Sequence, residues 1–318
     1  MTPQAGRALL ERVPEGQCLT VGPEGERLRP LDGAGRCAEW VVPLTRWAGL
    51  RWCWYAGAGF CTRHPPDAGT LAVSLGLEGR LGWQMGDGTG LYLGPGELVA
   101  RRRDRCAVSR FSLPLGRYAG LDFSVDLEGL DENLPPALAA AGITGTALRE
   151  KLGSGCRPLT LPASEELRRI GGALAQAEEG RLVPLAIVRL EELLLLLWET
   201  EPGSHPADRW PREQVRAVAA VHDTLTADLR RWYTIEQLAR QHLINTSALK
   251  AVFKGVYGQP VAAYMREYRM REAARQLRET DRTVAEIAAA VGYESQGKFA
   301  RVFREVLGVT PTEYRRGK

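Results

Sequence analysis

Long apolar runs are missing from this 318-residue chain. The most apolar segment, LEELLLLLWET, is uninterrupted only from Leu193 to Trp198, far short of the ~20 residues a membrane span needs. The first residues, MTPQAGRALLERVPEG, lack the apolar centre of a cleavable leader. These absences predict a cytoplasmic protein with no membrane partner. Histidine is scarce, four in all, and His64 is the only one before residue 201. No C-x-x-C pair occurs among the six cysteines (18, 37, 53, 61, 106 and 156), all in the first half, and they read as scattered buried thiols, with a redox or metal role as the alternative. No Ser/His/Asp grouping and no reactive-cysteine motif stands out; Cys156, before Arg157-Pro158, does not make one. The sequence therefore assigns no catalytic residue, no metal ligand and no cofactor, and an enzyme is not expected.

Hydrophobic residues make up 44% of the chain, enough to bury a sizeable core. The net charge of +4 is unevenly spread. Trp210 to Lys318 holds 19 basic and 12 acidic residues, or +7, which leaves −3 for residues 1–209. A basic C-terminal third behind a mildly acidic body points to a polyanionic partner at one end.

Residues 70–126 carry strand patterns. Leu71, Val73, Leu75 and Leu77 alternate with small or polar residues, as do Leu81, Trp83 and Met85, and Asp87-Gly88 then offers a turn. Gly94-Pro95-Gly96 separates Leu91–Leu93 from Leu98-Val99-Ala100. Short strands with Gly/Pro turns suggest a small barrel or jelly roll, to which the Trp- and Gly-rich residues 36–62 add further strands. From Ser164 the period becomes helical, with Leu167, Ile170, Gly171 and Leu174 on one face. Pro184 suits the first turn of a second helix running to Trp198, whose leucines are apolar all round and should be buried. Residues 201–211, EPGSHPADRWP, read as a linker. Beyond it, Val215, Val218, Ala219, His222, Leu225 and Leu229 mark a helical stripe.

The last third contains a duplication. Thr234–Gln237 and Thr283–Glu286 are both capping boxes, each followed by an apolar-Ala pair, Leu238-Ala239 and Ile287-Ala288. Asn245 and Ser295 then cap a second helix in each unit. Those helices bury Leu249, Val252, Phe253, Val256 and Tyr257 in one unit, and Phe299, Val302, Phe303, Val306 and Leu307 in the other. Each ends in glycine with a nearby proline. Two short helices with the second held by one face is helix-turn-helix geometry, at about 234–257 and 283–307. Opposite the first stripe lie Ser247, Ala251 and Lys254, flanked by Lys250. Opposite the second lie Gly297, Arg301 and Arg304, with Gln296 and Lys298 nearer the N-terminus. Arginine can pair bidentately with guanine and glutamine with adenine. The intervening residues, roughly 261–279, read as one helix with Tyr264, Met265, Tyr268 and Leu277 towards the core.

The stretch AEIAAAVGYESQGKFARVFREVLGVTPTEYR (285–315), with YMREYRMREAARQLRET before it, closely resembles the DNA-binding domain of the AraC/XylS family of bacterial transcription regulators. The resemblance spans about a quarter of the chain. It implies an all-helical domain on double-stranded DNA, with Ser247, Lys250 and Ala251, then Gln296, Gly297, Lys298, Ala300 and Arg301, facing bases. One departure is Leu243, where the second unit has Gly292; leucine resists a positive φ, so a somewhat different turn is expected. The first half resembles, in architecture, the cupin-like sensor barrels many members carry, though without the His-x-His cluster of metal cupins. The helices at 164–200 fall where such proteins dimerise.

The expected fold is thus α+β and multidomain: a cupin-like β-barrel with dimerisation helices (1–200), a linker (201–211), and an all-α domain with two helix-turn-helix units (212–318). The expected function is a ligand-responsive, sequence-specific transcription regulator, acting as a homodimer with a small-molecule effector and with RNA polymerase as a partner. The alternatives are a ligand-independent regulator whose barrel only dimerises, and a cupin-type enzyme fused to a DNA-binding domain. Trp52, Trp54, Trp83 and Arg101 are the candidate ligand contacts, because pockets are mostly apolar with a few polar anchors. Against this, the tryptophans equally suit a core, and Arg101–Arg105 a solvated turn.

Overall fold

The structure, a computed structural model, describes residues 3–63, 67–85, 88–103, 108–153, 158–201 and 209–317. His64, Asp87 of the expected turn, Asp104 and Arg105 of the arginine-rich run, Cys106, Cys156 and most of the expected linker lie outside these residues. The chain divides into two compact units, Met1–Arg209 and Trp210–Lys318.

The first unit opens with α1 (Pro3–Glu11). Eleven strands follow: β1 (Gln17–Gly22), β2 (Gly25–Pro30), β3 (Arg36–Pro43), β4 (Ala48–Ala56), β5 (Gly59–Arg63), β6 (Asp67–Gly79), β7 (Leu81–Gln84), β8 (Thr89–Leu93), β9 (Leu98–Arg103), β10 (Val108–Ser112) and β11 (Arg117–Asp126). Three short helices, α2 (Leu127–Glu132), α3 (Pro136–Ala140) and α4 (Gly145–Leu152), lead to β12 (Leu159–Leu161), α5 (Glu165–Ala175) and α6 (Glu179–Glu199). A sheet of eight strands runs β12-β9-β6-β11-β4-β3-β1-β2, antiparallel except where β1 meets β3. A second sheet carries the order β8-β7-β10-β5. The unit is therefore mixed α+β, and the expected barrel takes the form of two separately hydrogen-bonded sheets.

Strand alternation sorts side chains between the two faces of the large sheet. On β4, Leu50, Trp52 and Trp54 join a core shared with α1, α5 and α6, while Cys53 and Tyr55 join a second core shared with Trp83, Leu91 and Leu93 of the smaller sheet. Leu71, Val73 and Leu75 of β6 follow the first set, as their spacing predicts. Cys18 and Cys37 stand in register on the parallel pair β1/β3 and form a disulfide, with Cα atoms 4.2 Å apart. This corrects the reading of all six cysteines as separate thiols: the pairing depends on strand register, which a spacing of 19 residues does not reveal. Cys53 and Cys61 are free.

Helix α5 starts at Ser164, whose hydroxyl accepts from the Leu167 amide, and buries the four residues expected of it. Helix α6 corrects the expected start. It begins at Glu179, and Pro184 lies inside it rather than in its first turn. Proline removes one backbone bond there. The buried stripe of Leu182, Ala186, Leu190, Leu193 and Leu197 outweighs that loss. Leu195 and Leu196 are only half-buried, so the leucine run is not enclosed on all sides. No helix among the described residues is long and apolar enough to cross a membrane.

The second unit is all helical: α7 (Arg212–Ala227), α8 (Ile235–Gln241), α9 (Thr246–Tyr257), α10 (Val261–Glu279), α11 (Val284–Ala290), α12 (Gln296–Leu307) and α13 (Pro311–Arg316). On α7, Val218, Val221 and Leu225 are buried; Ala219, assigned to the stripe, is exposed. Helix α10 spans the expected residues and buries Tyr264, Met265, Met270, Ala273 and Leu277, so its two halves serve two small cores.

Candidate nucleic-acid interface and ligand cavity

Helices α8–α9 and α11–α12 repeat one local design. Thr234 and Thr283 form complete capping boxes with Gln237 and Glu286. The Asn245 and Ser295 side chains accept from the amides of Ala248 and Lys298, three residues on. Such caps contribute about 1 kcal/mol each and fix where each second helix begins. At the other end Gly258 and Gly308 take φ of 82° and 81° and return their amides to Lys254 and Arg304 carbonyls. Both second helices are therefore twelve residues long.

Each is held by one face. Leu249, Val252, Phe253, Val256 and Tyr257 of α9 are buried, as are Phe299, Val302 and Phe303 of α12, where Val306 and Leu307 are half-buried. Gly255 lies on the inner side of α9 because the Trp210 indole fills the space a side chain would need. The opposite faces are bare: Ser247, Lys250, Ala251 and Lys254 on α9, and Gln296, Gly297, Lys298, Arg301 and Arg304 on α12, are exposed, with Ala300 half-buried. A Cβ at Gly297 would meet only the Ser295 hydroxyl, at 3.9 Å, so the start of α12 presents open backbone. Arg301 is 71% exposed and has Glu305 3.9 Å away, which also pairs with Arg266 at 3.3 Å. That carboxylate competes for Arg301 and was not part of the expected face.

The two turns have the same shape, against expectation. Leu243 adopts φ 53° where Gly292 has 85°. In both, the next amide reaches back to an alanine carbonyl, Ile244 to Ala239 at 3.1 Å and Tyr293 to Ala288 at 2.9 Å. Leu243 carries the cost of that backbone itself, and with its side chain 95% exposed no core packing is disturbed. Gly292 has no such room: a Cβ there would lie 2.5 Å from the Leu229 carbonyl oxygen and 3.1 Å from Trp232 Nε1. The Trp232 indole donates to the Gly292 carbonyl at 2.9 Å. Arg230, Trp232, Tyr293 and Lys298 border an open recess beside the start of α12.

In the first unit, a cavity of about 320 Å³ lies between the two sheets. The large sheet supplies a polar floor with Arg29, Glu39, Arg51, Arg101 and Asp122, and the smaller sheet a roof with Leu81, Trp83 and Phe111. Glu39 is 5% exposed and takes Arg29 at 3.5 Å, Arg51 at 3.9 Å and the Tyr55 hydroxyl at 3.4 Å. Ser74 donates to Asp122 at 2.7 Å. Glu39, ahead of Asp122, holds Arg51 firmly protonated against the cost of its burial, while burial pushes the Cys53 thiol and the Tyr55 and Tyr118 phenols up, so all three stay neutral. Of the four expected ligand contacts, Trp83 and Arg101 line this cavity, with the Arg101 guanidinium 5.4 Å from the Trp83 ring. Trp52 and Trp54 face the other core, where they stack on each other. The missed floor residues had a signal in LRWCWY (50–55): the charged residue alternates with tryptophans that face the core.

A family model described as a helix-turn-helix domain matches residues 238–317. A putative AraC-like transcription regulator of Streptomyces lividans is 37% identical over 133 residues, which cover 42% of this chain and 43% of that protein. The regulatory protein SoxS of Escherichia coli K12 is 33% identical over 102 residues, 30% of this chain and 95% of SoxS. Among solved structures, the DNA-binding domain of the global transcriptional factor AdpA in complex with a target DNA is 25% identical, covering 32% of this chain and 91% of that one, with a TM-score of 0.31. The duplicated units thus define a helix-turn-helix domain in the last third of the chain. The chain belongs to the AraC/XylS family, with the family's domain at its C-terminal end. It matches less than half the length of the Streptomyces relative.

Proposed function

We propose that the protein is a sequence-specific, DNA-binding transcription regulator that answers to a small molecule held in its N-terminal cavity. The observation that carries the DNA-binding reading is the repeated arrangement of α9 and α12, each locked on one face and bare on the other. In this reading α9 and α12 enter successive major grooves. Helix α10, 19 residues long, would span ~28 Å at ~1.5 Å per residue, comparable with the ~34 Å groove repeat. Base readout falls to Ser247, Lys250, Gln296 and Arg301, with Lys298, Lys254 and Arg304 towards phosphates and Ala251, Gly297 and Ala300 allowing close approach.

Ligand response requires that the small molecule bind two states of the protein with different affinity. The charged cavity supports a ligand, and the exposed side of α6, where Val188 is 58% exposed, supports the homodimer expected on α5–α6. The test is selection of fragmented genomic DNA on the full-length protein at near-physiological salt, with Arg301→Ala in parallel. Enrichment of a few promoters that is lost in the variant is the expected result. Equal recovery of random fragments by both proteins would leave only charge-driven binding and overturn the specific reading.

A further inference from the structure

We propose that the N-terminal cavity takes a small organic anion, a single carboxylate on a flat apolar body, held between the guanidinium groups of the floor and the aromatic roof. The proposal rests on the reading of this cavity as a ligand site and adds the ligand's chemical class.

Three features argue for it. The first is charge. The lining holds Arg29, Arg51 and Arg101 against Glu39 and Asp122, a surplus of one positive charge in a cavity walled by protein. In a partly enclosed cavity such a surplus is screened less than in bulk water, and a bound carboxylate compensates it. An ammonium ligand would add to the surplus, and a dianion would overshoot it.

The second is unmet hydrogen-bonding capacity. Trp83 is 5% exposed, and its indole Nε1 is buried with no hydrogen-bond partner among the described residues. Arg51 Nε is likewise buried without a hydrogen bond, its nearest carboxylate oxygen being on Glu39 at 3.9 Å. Native proteins rarely leave such groups unmet, because each costs about 1–3 kcal/mol. Both are donors on residues that line the cavity, so the missing partner is an acceptor.

The third is shape and access. Leu81, Trp83 and Phe111 form the roof, and Tyr55 and Tyr118 add to the lining. Tyr55 lies 5.8 Å from Tyr118 and 6.0 Å from Phe111, ring centre to ring centre. These surfaces suit a planar apolar body. The side chains of Arg29 and Arg51 keep 39% and 34% of their surface exposed, so both reach solvent from the cavity floor. Cationic groups that reach solvent draw anions in.

The experiment uses the full chain and three probes of equal shape: 2-naphthoate, 2-naphthamide and 2-(aminomethyl)naphthalene. Binding is read from the indole N–H signals in a nitrogen-15 spectrum. Trp83 is identified as the signal lost in Trp83→Phe, a change that keeps the ring and removes the donor. The expected result is that naphthoate shifts the Trp83 signal saturably and the amine does not. Its Kd, followed in parallel by the fluorescence of naphthoate itself, should rise by about tenfold or more in Trp83→Phe, the loss of one charge-assisted hydrogen bond. Arg29→Gln, on the cavity floor, gives a second variant should Trp83→Phe fold poorly; it should weaken naphthoate and flatten the salt dependence of its binding. Equal or tighter binding of the amine or the amide would overturn the anion assignment while leaving the cavity a ligand site. No shift of Trp83 by any probe at millimolar concentration would overturn both.

Discussion

Arg269 lays its guanidinium over the indole of Trp232, its Cζ 3.9 Å from the ring centre. The same group donates from Nε to the Leu229 carbonyl and from Nη2 to the Arg231 carbonyl, both at 3.0 Å. Trp232 in turn donates to Gly292. The middle of α10 thus fastens the segment before the first helix-turn-helix to the turn of the second. Arg269 is 3% exposed and forms no ion pair with a carboxylate among the described residues, and burial lowers its pKa.

Arg269→Lys should therefore be costly although it keeps the charge. Lysine offers no planar fork for two carbonyls and no flat face for the indole. Leaving those carbonyls short of partners should destabilise the second unit by about 1–3 kcal/mol. Urea unfolding followed by circular dichroism and tryptophan emission measures it. An unchanged midpoint would mean that the contact contributes nothing.

Leu243→Gly should have the opposite sign. The left-handed backbone at Leu243 costs an L-residue about 1–2 kcal/mol, and glycine escapes that while giving back about 0.5–1 kcal/mol through its freer unfolded chain. The leucine side chain buries almost nothing, so little packing is lost. A net gain of a few tenths to 1 kcal/mol is expected from the same unfolding measurement. Loss of stability would mean that the exposed leucine has a contact of its own in solution.

The second unit was the more legible of the two. Its caps, stripes and terminal glycines are local signals, each set by residues within one or two turns, and they place α8, α9, α11 and α12 within about a residue. Leu243 was misjudged because propensity argues from the residue alone, whereas the cost of one positive φ is small enough for the rest of the unit to carry. In the first unit the alternation of Leu71, Val73 and Leu75 was readable. Residues 127–152 form three short helices that carry no long periodic pattern. The cavity was half legible. Trp83 and Arg101 stand out by type, but Glu39, Arg51 and Asp122 meet only through the register of β3, β4 and β11, which is a long-range property.

His222 gives a pH dependence with a definite sign. Its ring stacks on Tyr257 at 4.7 Å, and its Nε2 lies 2.9 Å from the Tyr264 hydroxyl, with Tyr268 edge-on. Burial lowers its pKa below the ordinary 6.5, and the nearby Asp223 carboxylate only partly offsets this. The unfolded chain therefore takes up the proton first as pH falls. The stabilising contribution is complete above about pH 6.5 and is lost as pH drops from there towards the folded value. His222→Gln should remove this slope between neutral and mildly acid pH in unfolding curves of the second unit. A variant with the parent's pH profile would assign the slope to another group.

The last prediction separates base reading from charge on the exposed helix faces. Arg301→Ala should weaken the preferred operator by about 1–3 kcal/mol and relax preference at one base pair. Lys254→Ala should instead weaken all sequences alike and reduce the salt slope by about one. Glu305→Gln distinguishes the two roles further. Its carboxylate lies near both Arg301 and Arg266, and removing the charge frees two guanidinium groups on one side of α12. Binding to random DNA should tighten and its salt slope steepen, while the ratio of specific to random binding falls. These are measured by titrating labelled duplexes at several salt concentrations. If Arg301→Ala and Lys254→Ala both leave every curve in place, the exposed faces of α9 and α12 do not meet DNA. If Glu305→Gln alone has no effect, Arg301 reaches its base without having to leave Glu305.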